Sequence, residues 1–167
     1  FVVYAESKDD VVQAVKLANQ EDLPLIAIGE GTNLLPHPNV KAVVLVLALK
    51  GIKEEDNVVT VGAGENWDDV VKFAVEKGLT GIEALSAIPG KVGAAPIQNI
   101  GAYGSEVGDT IEYVEVYDRE KEKFILLDKE DCQFGYRDSL FKKNKDKFIV
   151  VSIVLKHSKE PPKIQDY

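Results

Sequence analysis

Between Leu79 and Glu106 the chain reads LTGIEALSAIPGKVGAAPIQNIGAYGSE, with glycines at 81, 90, 93, 101 and 104; apart from Tyr103, only Glu83, Lys91 and Glu106 can ionise. Elsewhere the sequence is charge-rich, so this stretch stands out. Glycine and proline at such density do not continue a helix or a central strand, since one adds backbone entropy and the other removes an N–H donor. A solvated loop would be more polar. The segment therefore reads as backbone packed closely against something large: another part of the chain at a tight crossover, or a flat or anionic ligand.

A length of 167 residues with 45% apolar content is enough for one domain or two small lobes around a packed core. The net charge of -8 and pI near 4.8, without a long Lys or Arg cluster, argue against nucleic acid or an anionic membrane as partner. No uninterrupted apolar run is long enough to span a bilayer, and the opening FVVYAESKDD lacks the basic region and cleavage site of a signal peptide. Cys132, the single cysteine, allows no internal disulfide and fits a reducing compartment, so a cytoplasmic location is expected. The start at Phe1 inside a strand pattern, the lack of Met and the ending PPKIQDY read as a piece of a longer protein.

Hydrophobic periodicity and caps divide the chain into two parts. In residues 1–50, Phe1 to Ala5 reads as a strand, and Ser7 with Asp10 forms a capping box for a helix to about Gln20 with Val11, Val12, Val15 and Ala18 inward. Leu23 to Ile28 and Ala42 to Leu49 are the next strands, giving β-α-β-β. In residues 51–167, Val58 to Val61 is a strand. Asn66 caps a helix that turns Val70, Val71, Phe73 and Ala74 inward and ends at Gly78. Ile111 to Tyr117 and Lys123 to Leu127 alternate, with one face expected on the core and one in water, and Phe148 to Leu155 is a final buried strand. The fold class is α+β.

Three places offer chemistry. Gly29-Glu30-Gly31-Thr32-Asn33 directly follows an apolar strand, where glycines allow positive φ and bare backbone amides toward phosphate oxygens. Leu34 occupies the place of the third glycine of the dinucleotide fingerprint, and an ordinary β-turn remains an alternative. The neutral segment itself supplies backbone donors and small side chains for an anionic linker and an aromatic ring. Tyr136-Arg137-Asp138-Ser139 holds a permanent cation able to stabilise an oxyanion or enolate, although a surface turn with a local Arg to Asp pair has the same composition. His37 and His157 are isolated, which argues against a metal site. Cys132 and Trp67 read as packing residues, and KKNKDK at 142–147 as a solvated turn that could also attract a phosphorylated substrate.

In order along the chain, GEGTNLL, VGAGENW, IPGKVGAAPIQNIGAYGSE and CQFGYRDSLFK resemble the bacterial UDP-N-acetylenolpyruvoylglucosamine reductase family, also called UDP-N-acetylmuramate dehydrogenases. Thr32 stands where that family usually has Ser, which keeps the hydroxyl. The resemblance implies a two-lobed α+β FAD-binding domain of the vanillyl-alcohol-oxidase-like (PCMH-type) class. The family binds FAD non-covalently, takes hydride from NADPH and reduces the enolpyruvyl group of UDP-N-acetylglucosamine enolpyruvate to give UDP-N-acetylmuramate, a peptidoglycan precursor.

By position, the resemblance implies FAD contacts from Gly29, Glu30, Gly31, Thr32, Asn33 and Leu34, and from Ile88, Pro89, Gly90, Val92, Gly93, Ala94 and Ala95. It implies the same for Gln98, Asn99, Gly101, Ala102, Tyr103 and Gly104, and for Val150. Tyr136 matches the family's substrate-site tyrosine and Arg137 its active-site arginine. The family's proton-delivering serine and glutamate come from a third, C-terminal domain, for which this chain has no counterpart; Ser139 is not assigned that role. The alternative is an autonomous flavin-binding module without turnover.

Overall fold

The structure is a computed structural model that describes residues 1–32, 34–35 and 39–160. Asn33, His37 and the PPKIQDY tail lie outside the described residues.

The first sheet is parallel throughout. Strand β1 (Val2–Ala5) leads into α1 (Lys8–Gln20), whose start is fixed by the expected box: Asp10 N donates to Ser7 Oγ (3.2 Å) and Ser7 N to Asp10 Oδ2 (2.9 Å). Strands β2 (Leu25–Ile28) and β3 (Val43–Leu47) complete the sheet in the order β1-β3-β2, with β3 central and parallel to both neighbours. Joining adjacent parallel strands requires a long return from one end to the other. The segment between Ile28 and Val43 makes that return, so the glycine turn at 29–31 leaves from the carboxyl end of β2.

The inward face of α1 consists of Val11, Ala14, Val15 and Ala18. Ala14 takes the place expected for Val12, which is only partly buried, because the buried stripe follows the i, i+3, i+4, i+7 rows.

The second sheet is antiparallel, with the order β4-β5-β10-β8-β9. Its strands are β4 (Ile52–Glu55), β5 (Val58–Gly62), β8 (Ile111–Asp118), β9 (Lys123–Asp128) and β10 (Phe148–Lys156). The edge strand β4 was not expected; its IKEE sequence has little apolar content, and it forms by pairing with β5 from Ile52↔Val61 to Glu55↔Val58. Helix α2 (Trp67–Glu76) begins at Asn66, whose Oδ1 accepts from Asp68 N (3.0 Å), and ends before Gly78, where φ is 68°. Its buried side chains are Trp67, Val70, Val71 and Ala74, with Phe73 at the margin.

The glycine-rich segment crosses from α2 to β8 through two short 3-10 turns, Glu83–Leu85 and Val92–Ala94. It then forms the small hairpin β6 (Gly101–Ala102) and β7 (Ser105–Glu106) and the short helix α3 (Val107–Thr110). Helix α4 (Leu140–Lys143) precedes β10.

Two buried clusters surround the second sheet. One includes Val59, Val61, Val114, Val116 and Ile153 with α2 and the crossing segment. The other joins Ala63, Tyr117, Ile149 and Val151 to Val11, Val15, Val43 and Leu45 of the first sheet and its helix. Strand β8 therefore departs from the expected one-sided alternation: Val116, Tyr117 and Asp118 are all buried, because this end of the strand is covered on both faces.

Candidate functional site

Residues 88–95 are held against the end of β5 by backbone alone. Trp67 N donates to Gly90 O (3.0 Å), Val92 N to Glu65 O (2.9 Å) and Gly93 N to Ala63 O (2.9 Å). This approach requires glycine at 93, where a Cβ would lie 2.8 Å from Ala63 Cβ. Trp67 is buried and donates Nε1–H to Leu85 O (2.9 Å), which fixes the packing role expected for it, and its ring also reaches the adjoining cavity.

That cavity, of about 320 Å³, lies between the turn after β2 and the crossing segment. Gly29, Glu30, Gly31, Thr32 and Leu34 line one side, and Ile88, Pro89, Gly90, Ala94, Ala95 and Gln98 the other. A neighbouring cavity of about 430 Å³ shares Gly29, Leu34 and Ala94 and adds Gly93 and Val150. Through these shared residues the two adjoin as one cleft. Within the turn, Leu34 N donates to Gly31 O (3.2 Å), while the N–H groups of Gly29, Glu30, Gly31 and Thr32 have no acceptor among the described residues. Unpaired amides facing a cleft fit phosphate oxygens.

Sequence reasoning missed the lining side chains of Lys91, Ile97 and Ile100; Lys142 and Lys145 of the 142–147 basic cluster also line the cleft. Lys91 Nζ pairs with Glu30 Oε1 at 3.2 Å, linking the two sides of the first cavity. Its position in the neutral segment was a visible signal, because it is the only cation there. The Glu30 carboxylate is thus neutralised by Lys91, leaving its backbone N–H as the group suited to an anion.

Val92 and Asn99 are buried and line neither cavity, and Gly101, Ala102, Tyr103 and Gly104 also lie off the cavity walls. Two of them, Asn99 and Gly101, contact the turn that carries Tyr136 and Arg137. Gly135 N donates to Asp138 O and Asp138 N to Gly135 O, each at 3.0 Å, so Tyr136 and Arg137 occupy the tip of a tight turn. Arg137 has a φ of 51°, and its Nη2 donates to Gly101 O (2.8 Å). The local Arg to Asp pair is not formed: Asp138 pairs with Lys143 at 3.1 Å, which holds its carboxyl below the usual range. Lys142 Nζ donates to Arg137 O (2.7 Å), joining this turn to the cleft that Lys142 lines.

Ser139 is fully buried; its hydroxyl donates to Ile97 O (2.6 Å) and accepts from Lys142 N (3.2 Å). It is a structural anchor. Cys132 is buried beside Asp128, Glu130 and Asp131, and burial first, then these carboxylates, push its thiol up to about 12. Among the described residues no cluster of three His, Cys, Asp or Glu side chains could hold a metal ion, and no helix is long and apolar enough to cross a membrane.

A parallel sheet whose glycine turn faces a cleft, backed by an antiparallel sheet and a crossing segment with small side chains, defines a two-lobed α+β flavin-binding domain. The FAD binding domain family matches residues 1–125, and the chain belongs to it. Similar proteins include the UDP-N-acetylenolpyruvoylglucosamine reductase of Pseudomonas aeruginosa, 40% identical over 171 residues covering 99% of this chain and 50% of that protein. The enzyme of the same name from Salmonella typhimurium is 40% identical over 164 residues, covering 95% of this chain and 48% of that protein. Among solved structures, that of UDP-N-acetylenolpyruvylglucosamine reductase (MurB) from Thermus caldophilus superposes with a TM-score of 0.77 at 28% identity, covering 96% of this chain and 56% of the other. The chain spans about half the length of the curated relatives it matches.

Proposed function

We propose that this chain is the FAD-binding part of an NADPH-dependent UDP-N-acetylenolpyruvoylglucosamine reductase that makes UDP-N-acetylmuramate for peptidoglycan. Residues 1–50 and 51–167 serve as its two lobes, in the cytoplasm, with nucleotide and nucleotide-sugar substrates and neither nucleic acid nor membrane as partner. The observation that carries the reading is the cleft between Gly29 to Thr32 with Leu34 and Ile88 to Gln98, with amides on one wall that have no acceptor among the described residues and small apolar groups on the other.

Bound FAD supplies a ring that takes hydride from NADPH and passes it to the enolpyruvyl double bond. The amides of Gly29 to Thr32 and the Lys91 ammonium hold the cofactor's diphosphate. Ile88, Pro89, Ala94 and Ala95 cover apolar surface and keep water out. Tyr136 orients the sugar substrate. Arg137 presents guanidinium N–H groups beyond the one bound to Gly101 O, and their fixed charge stabilises the enolate that develops beside the substrate carboxylate, without exchange of a proton.

The alternative reading is an autonomous flavin-binding module without turnover. The two readings part on reading-frame length and on activity. Both require that the purified protein take up FAD with a change in the flavin absorbance bands, and a protein that stays colourless in excess FAD refutes both. In the complete reading frame, Arg137→Ala should leave flavin reduction by NADPH largely intact and impair substrate reduction. Equal loss of both half-reactions contradicts the role given to Arg137.

A further inference from the structure

Asn99 stands in the middle of the glycine-rich segment, yet its side chain is buried and lines neither cavity. Its carboxamide is fully engaged by the protein. Oδ1 accepts from Gly108 N (2.9 Å), while Nδ2 donates to Glu106 Oε2 (2.7 Å) and to Gly135 O (3.0 Å). Both amide hydrogens are therefore committed, which no residue other than Asn matches at this length. The backbone takes a left-handed φ of 47°, a conformation that Asn tolerates better than most residues.

The partner that matters is Gly135 O. This carbonyl closes the turn that carries Tyr136 and Arg137, since it also accepts from Asp138 N at 3.0 Å. Arg137 in turn donates to Gly101 O, two residues beyond Asn99. Asn99 thus ties the base of the turn to the same short stretch of chain that receives the guanidinium. Ser139 and Lys142 add tethers on the far side, through Ile97 O and Arg137 O. Tyr136 itself is 86% exposed and packs too little to fix the turn.

We infer that Asn99 is a positioning residue for substrate reduction: by gripping Gly135 O from beneath, it sets where the Arg137 guanidinium stands relative to the flavin-binding segment. The inference rests on the reading of Arg137 given above. It replaces the direct cofactor contact expected for Asn99 with an action through the 135–138 turn.

Asn99→Asp keeps the acceptor for Gly108 N but turns an oxygen toward Glu106 and Gly135 O, which removes the donor and adds repulsion. Adding Glu106→Gln gives that oxygen an amide donor, so the double variant repairs the local hydrogen bond and still leaves Gly135 O without its side-chain partner. In the complete reading frame loaded with FAD, both variants should reduce flavin with NADPH at close to the natural rate. Substrate reduction should slow by about 10- to 100-fold, the size expected when a catalytic group shifts by about 1 Å. The double variant should also melt near the natural protein, a result that a purely structural role for Asn99 does not predict together with lost substrate reduction.

A folded, FAD-loaded double variant that reduces substrate at the natural rate, beside an impaired Arg137→Ala, overturns this inference alone. An Arg137→Ala protein with unaltered substrate reduction overturns the functional reading and this inference together. Should neither Asn99 variant fold, hydrogen exchange on the natural protein decides: protection of the Asp138 amide well above that of an exposed turn supports the inference, and exchange as fast as in a free turn overturns it.

Discussion

Gly93→Ala tests the close packing that builds the wall of the cleft. The new Cβ would stand 2.8 Å from Ala63 Cβ and 3.3 Å from Ala63 O. Carbon atoms rest at about 3.5 Å or more, so the two backbones must part by roughly 0.7 Å. That movement strains the bond from Gly93 N to Ala63 O, now 2.9 Å, and its neighbour from Val92 N to Glu65 O, also 2.9 Å. Stretched to about 3.6 Å, such a bond is lost, at about 1 kcal/mol. Overpacking of this kind costs about 1–3 kcal/mol in total. Because Gly93 and Ala94 form part of the wall, FAD affinity should fall as well, by about tenfold or 1.4 kcal/mol. Urea denaturation and flavin fluorescence titration measure the two effects. Gly78→Ala is the control: its Cβ meets open space, but at a φ of 68° it costs about 1–2 kcal/mol of left-handed strain far from the cleft. It should lower the urea midpoint and leave FAD affinity unchanged. The reasoning fails if Gly93→Ala changes neither property, or if Gly78→Ala weakens FAD binding equally.

Lys91→Met should change stability by no more than about 1 kcal/mol, because its pair with Glu30 is partly solvated. FAD affinity should drop most at low salt, and a titration at low ionic strength that finds no change counts against a diphosphate contact. Cys132, with its thiol pushed up to about 12, should resist iodoacetamide in the native protein and react once urea unfolds it; rapid native labelling followed by mass spectrometry would contradict its burial. His157 is buried, its ring nitrogens have no hydrogen-bond partner within bonding geometry among the described residues, and burial, outweighing the nearby Thr80 backbone, holds it below its ordinary value of 6.5. The unfolded chain therefore binds this proton more readily, so stability should fall as pH drops through about 6.5, and His157→Leu should flatten that part of the pH profile of urea midpoints. An unaltered slope in the variant would exclude His157 as its source.

Local signals in the sequence translated well where the chain determines its own geometry. Ser7 with Asp10, Asn66 and Gly78 fix helix ends through contacts within a few residues, and each appears where expected. The glycine turn at 29–31 was legible for the same reason: it follows an apolar strand that must stop. Features set by distant partners were not legible. Strand β4 exists because β5 offers it an edge, and its own residues carry little strand signal. Lys142 was legible as part of the 142–147 basic cluster, but its place on the cleft wall is set by the fold, which anchors the nearby Ser139 to Ile97, forty-two positions away in sequence. Asn99 sits in a glycine-rich motif, and nothing in the linear text shows that its carboxamide is engaged by Gly108, Glu106 and Gly135. Arg137 finds Gly101 O, thirty-six positions away, while Asp138 pairs with Lys143.

A chain with a net charge of -8 is an unpromising receptor for a dinucleotide that is itself anionic. The difficulty disappears at the scale on which the ligand is held. Charges farther apart than about 8 Å are largely screened at physiological salt, so the total matters less than the few groups facing the cleft. Those groups are the amides of residues 29–32 and the ammonium groups of Lys91, Lys142 and Lys145, set against the carboxylates of Glu30 and Asp146. The one carboxylate of the glycine turn, Glu30, is neutralised by Lys91 from the opposite side. That arrangement gives the pair a second use. An arriving diphosphate can take Lys91 from Glu30 without exposing a new charge to a dry interior, since Glu30 remains 42% solvent-accessible. Under the proposed function, binding would then exchange one ion pair for a better one, with Glu65, the other carboxylate that feels the Lys91 charge, outside the cleft lining.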